Sequence, residues 1–159
     1  MNTQFTIQRA SETDAGEIAV MVGELLTEIM RRIDVRAFNF DLPATVARLR
    51  DFLAKQHYVV FVAYDGLHNA VGFVALYESY ALYAEGAFGT IPELYVRPAY
   101  RSRQVGFKLI SRAKAFGATK GWKRLEVTTP PLPQFDRTLG FYRREGFSIS
   151  GGRKLKLDL

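Results

Sequence analysis

Residues 91 to 110, IPELYVRPAYRSRQVGFKLI, put a carboxylate, a run of cations and a glycine into one strand, turn and helix unit. Glu93 is flanked by the apolar Ile91, Leu94 and Val96, so burial would raise its pKa toward neutrality, where it could act as a general base. The basic turn Arg101, Ser102, Arg103, Gln104, Val105, Gly106 then leads into a helix expected over 104–116. Backbone N–H groups at such a turn, with the positive end of the helix dipole, point at an anion such as a phosphate. A possible base therefore stands beside a phosphate cradle. A lone strand carboxylate can also sit on a solvated face or in a structural ion pair.

A second constellation lies downstream in Thr138 to Phe147, TLGFYRREGF, where Gly146 can close a helix in the left-handed conformation and Phe147 starts the next element in the core. Together the two segments resemble motifs A and B of the GNAT superfamily of acetyl-CoA-dependent N-acetyltransferases. Motif A carries Gln/Arg-x-x-Gly-x-Gly/Ala between a strand and a helix, with Arg101 in the first slot and Gly106 in the last. Gln104 replaces the middle glycine, which a negative φ would accommodate. Motif B ends a helix in Phe-Tyr-x-x-x-Gly-Phe, matched by Phe141, Tyr142, Gly146 and Phe147. The resemblance spans roughly residues 70 to 150 by motif, and the N-terminal third by element order.

The elements that must position these groups follow from periodicity and turn chemistry. Phe5 to Arg9 alternates as a strand, and Thr13 with Asp14 starts a helix that runs to about Met30 with Ile18, Val22, Leu25, Leu26 and Ile29 on its core face. Asp41 with Pro43 starts a second helix whose apolar face is Val46, Leu49, Phe52 and Leu53. Strands over Tyr58 to Tyr64 and Ala70 to Tyr77 flank the hairpin signal DGLHN. A single strand is expected over Phe88 to Val96, then the helix, a strand over Arg124 to Thr128, a Pro-rich loop, a helix over Phe135 to Glu145, and a closing hairpin of Phe147 to Ser150 with Arg153 to Leu157. This is the element order of the GNAT fold: α/β, with a mixed, mostly antiparallel sheet of six to seven strands and helices on both faces. In that fold the fourth and fifth strands splay, and the pantetheine arm of CoA lies between them.

At 159 residues and 48% hydrophobic, the chain suits one domain over residues 1–159. Its longest apolar run, YVVFVAY, is far short of the ~20 residues of a membrane span, and the polar start MNTQFTIQRA lacks a signal peptide's apolar core. A cytoplasmic protein without a membrane partner is expected. No cysteine is present, so acyl transfer cannot pass through an enzyme thioester, and two histidines make a metal site improbable. His57 and His68 are assigned no role.

Charge is divided along the chain. Residues 1 to 96 hold 7 basic and 12 acidic side chains, whereas residues 97 to 159 hold 15 basic and 4 acidic ones, and the overall net charge is +6. A basic C-terminal half suits the phosphates of CoA. Phosphate contact is favoured for Arg101 and Arg103; Lys114, Lys120 and Lys123 read as a solvated helix face.

The resemblance implies acetyl-CoA as co-substrate, with no metal. Leu94, Tyr95, Val96, Arg101, Ser102, Arg103, Gln104, Val105, Gly106, Phe107, Lys108 and Phe141 would form its site, Leu94 and Val96 offering backbone groups to the pantetheine amides. Glu93 would accept the amine proton, and Tyr142 would assist departure of the thiolate. The acceptor site of the fold lies between the first two helices and the loop joining strands three and four, so Glu28, Glu78, Tyr80 and Tyr83 become candidates. Glu24, Asp34, Glu85 and Tyr77 lie in the same region of the sequence. Acid and aromatic groups suit a small cationic amine, although ordinary surface carboxylates read equally well. Two rivals remain: an acyl-CoA-binding module without transferase activity, and an acetyltransferase for protein or aminoacyl-tRNA. Nucleic acid is disfavoured because the basic segment lacks interleaved aromatics. A homodimer is compatible with the sequence.

Overall fold

A computed structural model describes residues 4–159, and the first three residues of the polar N-terminal stretch lie outside the described residues. The spine is β3 (Ala70–Ala81), which is twice as long as β2 (Val59–Tyr64) and is shared by several partners. Its first half is buried and pairs antiparallel with β2, which in turn pairs with β1 (Thr6–Arg9). The hairpin signal between β2 and β3 works through Asp65, whose carboxylate accepts from the Leu67 and Asn69 amides at 2.9 and 2.8 Å.

On its other edge β3 meets two short strands rather than the single one expected over 88–96. β4 (Gly86–Ile91) pairs with its second half, and β5 (Leu94–Val96) with its first. The register passes from Tyr77 opposite Thr90 to Val74 opposite Leu94, so three steps on β3 face four on its partner. One extra residue is accommodated at Pro92–Glu93, a β-bulge. Proline has no N–H to give to the ladder, which is why the pairing breaks there.

β6 (Leu125–Val127) pairs in parallel with β4 from Gly89 to Ile91 and does not reach β5. The sheet therefore opens between β5 and β6. The splay implied by the family resemblance is present, and the bulge is its immediate cause.

The helices cover both faces. α1 (Ala15–Ile33) begins beyond a short 3-10 turn at which the Asp14 carboxylate accepts from the Ser11 amide at 2.8 Å. α2 (Leu42–Ala54) is capped by Asp41, which accepts from the Ala44 amide at 2.9 Å, with proline in its first turn. These two pack with Val60, Val62, Phe73, Ala75 and Tyr95 on one face of the sheet. α3 (Val105–Thr119) and α4 (Asp136–Arg144) cover the other, burying Val105, Leu109, Ile110 and Tyr142 against Phe61, Val74 and Leu76.

The closing hairpin expected over 147–157 does not form. Phe147 packs into the core cluster, but the chain beyond it carries no strand, and Ile149, Leu155 and Leu157 are exposed. Their alternation is strand-like, yet an isolated two-stranded ribbon is only marginally stable and no facing layer covers these side chains.

Candidate active site

The bulge sets the direction of the groups on β5. The Ala75 amide donates to the Glu93 carbonyl at 2.9 Å, and the Arg97 amide to the Val71 carbonyl at 2.8 Å. In an antiparallel ladder this turns the backbone groups of residues 93, 95 and 97 toward β3. Those of Leu94 and Val96 therefore point into the gap facing β6. The Val96 carbonyl accepts from Arg101 Nε at 2.8 Å, as that direction requires.

At the head of α3 the backbone curls sharply. Ser102 and Gln104 adopt φ of 62° and 63°, both left-handed, with Arg103 between them outside that region. Such alternation curls successive amides into a concave nest. Among the described residues, the amides of Ser102 to Phe107 donate to no carbonyl or side chain, and the first bond of the helix is Lys108 N–H to the Gln104 carbonyl at 3.0 Å. Six consecutive N–H groups are thus presented to an outside acceptor at the positive end of a helix. Gln104 departs from the expectation of a negative φ: the position demands the conformation that glycine takes freely, and a side chain occupies it at a cost of about 1–2 kcal/mol.

The neighbouring side chains divide in role. Arg101 is committed to the protein: besides its bond to Val96, its Nη2 lies 2.7 Å from Glu28 and its guanidinium covers the Tyr95 ring at 5.7 Å. It braces the loop against α1. Arg103 forms no ion pair among the described residues and lies over the Tyr100 ring at 6.0 Å, so its charge is available beside the nest. Lys108 rests its ammonium 5.9 Å from the centre of Phe5. Val105 is core and Phe107 is half-exposed. Gly106 serves helix packing, because a Cβ there would lie 3.0 Å from the Phe141 ring.

Glu93 lies on the α1/α2 face. It lines a cavity of about 170 Å³ with Ile18, Leu49, Phe73 and Ala75, and Tyr58 donates to its Oε1 at 3.2 Å. Desolvation in these apolar surroundings raises its pKa to about 7, against a smaller lowering by the Tyr58 bond. Tyr58 is itself held between Phe52, at 5.0 Å, and a stacked Tyr77, at 6.2 Å. Its phenol pKa rises on burial and beside the Glu93 charge, so it stays a donor.

Tyr142 is on the opposite face of the sheet, wedged between Phe141 and Phe147 at 5.3 and 5.4 Å. Burial alone raises its pKa, with no hydrogen-bonding partner contributing. Glu93 and Tyr142 belong to different packing clusters on the two faces of the sheet, which is unpaired between β5 and β6.

The other candidates do not gather at Glu93. Glu28 is paired with Arg101. Glu78 accepts from Trp122 Nε1 at 2.7 Å and from the Tyr80 hydroxyl, and Tyr83 lies under the Arg124 guanidinium at 5.3 Å. Glu24 is held by Arg97 at 3.0 Å, and Glu85 faces Lys123 at 3.4 Å. The cavity beside Glu93 is lined instead by residues that the periodicity marks as core, together with Asn39, Phe40, Thr45, Arg48 and Tyr58, for which the sequence carries no functional signal. No cluster suited to a metal ion occurs among the described residues. No helix among them is long and apolar enough to cross a membrane.

The chain belongs to the GNAT acetyltransferase family: residues 56–149 match the acetyltransferase (GNAT) domain. Its fold is shared with many solved structures. An aminoglycoside acetyltransferase from an uncultured soil metagenomic sample, solved with trehalose, is 22% identical with a TM-score of 0.76, over 98% of this chain and 96% of that one. The aminoglycoside N-acetyltransferase AAC(6')-Iy in complex with CoA is 17% identical with a TM-score of 0.80, over 99% and 97%. A predicted acetyltransferase from Clostridium acetobutylicum, solved with acetyl-CoA, is 14% identical with a TM-score of 0.77, over 98% and 96%. No curated protein matches the sequence significantly.

Two stability measurements test this geometry. Gln104→Gly relieves the left-handed strain and is expected to add about 1 kcal/mol, a rise of about 2–4 °C in Tm; an unchanged or lower Tm would remove the strain argument. For Glu93 the sign runs the other way from an ordinary paired carboxylate. Its folded pKa of about 7 exceeds the reference value of 4.5, so the folded state holds the proton more tightly. Ionisation therefore destabilises the fold, by nothing below pH 4.5 and by at most about 3 kcal/mol above pH 7. Glu93→Gln should raise Tm at pH 8 more than at pH 5, and an equal change at both pH values contradicts the burial of the charge.

Proposed function

We propose that the protein transfers an acetyl group from acetyl-CoA to a primary amine by direct attack within a ternary complex. The observation that supports this reading is the succession, along one segment beside the break in the sheet, of a carboxylate whose pKa is about 7, the outward-facing backbone groups of Leu94 and Val96, and six amides without a protein acceptor among the described residues. The nest and the nearby Arg103 suit the phosphates of the donor. The outward N–H and C=O of Leu94, with the Val96 N–H, suit the amides of the pantetheine arm. The donor supplies an activated acetyl group; everything else is the work of the chain.

An amine of pKa about 10.4 is almost entirely protonated at neutral pH, and only its neutral form attacks a carbonyl carbon. Glu93 takes the proton, directly or through a water, as the C–N bond forms and the C–S bond breaks. A carboxyl with pKa near 7 is ionised often enough to serve and basic enough to be useful. Tyr142 acts on the sulfur. Burial lifts its phenol above an ordinary value of about 10, while a thiol ionises near 8.5, so complete proton transfer to the thiolate is uphill. Its contribution is a hydrogen bond to the departing sulfur, with the proton finally restored from solvent. With no cysteine in the chain, a covalent acyl-enzyme through sulfur has no carrier.

The pH dependence separates the two groups. With wild-type protein, kcat/KM should fall on the acid side with an apparent pKa near 7, in addition to the limb from the amine's own ionisation. Glu93→Gln should lose that inflection and about 10²–10⁴-fold in kcat. An unchanged profile in the variant would exclude Glu93 as the base. Tyr142→Phe should lower kcat by about 10²-fold with little change in the KM for acetyl-CoA, and equal turnover would take Tyr142 out of the mechanism.

A further inference from the structure

The cavity that reaches Glu93 is unlike a site for a polycation. α2 turns Thr45, Arg48, Leu49 and Phe52 toward it, one helical face at i, i+3, i+4 and i+7, while α1 contributes Ile18, Val22 and Leu26. Phe40, from the segment joining the helices, closes one side: its ring sits over α1 where Gly23 has no Cβ to obstruct it, since a Cβ there would lie 2.6 Å from the ring. Glu93 is the sole carboxylate among the lining residues, and Arg48 the sole cation. Arg48 is exposed and forms no ion pair among the described residues, whereas Glu24 and Glu28 of α1 are held by Arg97 and Arg101, and Glu17, in the first turn of α1, does not line the cavity.

Resting on the acetyltransferase reading above, we infer that the acceptor is a primary amine on a small apolar body that carries a carboxylate at its far end. The amine meets Glu93, the body fills the apolar cavity, and the carboxylate meets Arg48 at its exposed side. A space of about 170 Å³ takes roughly one aromatic ring, since an engineered cavity of about 150 Å³ holds benzene. A second or third ammonium would find no further carboxylate here and would stand against the Arg48 charge. Arginine is suited to a carboxylate through its paired, planar N–H donors.

The test uses the full chain, with acetyl-CoA saturating in the kinetic arm. Four amines are compared by kcat/KM: 4-(2-aminoethyl)benzoate, 2-phenylethylamine, spermidine and kanamycin. The two aryl amines should exceed the two polycations by about tenfold or more, and the carboxylate should add about a further tenfold over 2-phenylethylamine. In Arg48→Ala that second ratio should fall below about twofold, and Arg48→Lys should restore part of it. A preference for spermidine or kanamycin, or a carboxylate advantage that survives Arg48→Ala, would overturn the inference.

A binding arm needs no turnover. 4-Ethylbenzoate, which has no amine, should bind wild type at least about tenfold more tightly than Arg48→Ala by calorimetric titration. Absence of binding to wild type overturns the inference. Intact, Arg48-dependent binding with no thiol release from any amine would count for the pocket assignment and against the transfer reading, so the two can fail separately. Circular dichroism of each variant excludes unfolding as the source of a loss.

Discussion

The structure depends on one extra residue. At Pro92–Glu93 the strand that runs along β3 contains one residue more than its partner can match, and the site follows from that mismatch. β6 can follow β4 as far as Ile91, but β5 has moved out of line, so the sheet parts. The same step fixes which backbone groups of β5 pair with β3 and which face the opening. It also places Glu93 where its carbonyl still pairs with Ala75 while its side chain enters the apolar space below α1 and α2. A regular strand could not do all three, since its outward groups would be taken up by the next strand.

The second constraint is electrostatic, and backbone conformation maintains it. Two left-handed non-glycine residues in three positions is an expensive arrangement for a loop whose ends are otherwise free to relax. The surroundings hold it in place. Arg101 ties the loop to the end of β5 through Val96 and to α1 through Glu28, and Phe141 presses on α3 at Gly106. The curled backbone is thus fixed by contacts within the protein, and among the described residues its amides make no hydrogen bond to their own chain. The charge of Arg101 belongs to the assembly of this loop, and that of Arg103 remains over.

How much of this was readable in the residues depends on sequence distance. The proposed donor side is local: Leu94 to Lys108 is one stretch, so its strand, turn and helix leave a pattern, and Phe141 to Phe147 leave another. Pro92 even marks the break, although the β-formers on either side of it, Phe88, Thr90 and Ile91 and then Leu94, Tyr95 and Val96, read together as one strand. The positive φ of Gln104 was not readable, because a glutamine there looks like an argument for an ordinary conformation. The final hairpin was legible in the wrong sense, since alternation in Arg153 to Leu157 describes a strand without saying what it would pair with. The partner of Arg101 is hidden for a related reason: nothing local reveals that Glu28, 73 positions away, pairs with it.

The proposed acceptor side is legible to a much smaller degree, and the reason is physical. It is built from α1, the 38–40 segment, α2, the start of β2 and the bulge, which are separated in sequence and joined only by packing. An apolar binding surface uses the same residue types and the same helical spacing as a core, so Ile18, Val22 and Phe52 carry no mark of function. What distinguishes a cavity from a core is a volume left unfilled, which no periodicity records. Shared fold has the same blindness. Solved structures 14–22% identical share the fold, because a fold follows from backbone pairing and packing pattern. The shape and charge of the space beside Glu93 follow from side chains at its walls, which such a relationship leaves free to differ. The charges that line that space, one carboxylate on the bulge and one arginine on α2, are therefore read from this chain's own side chains and do not follow from its fold.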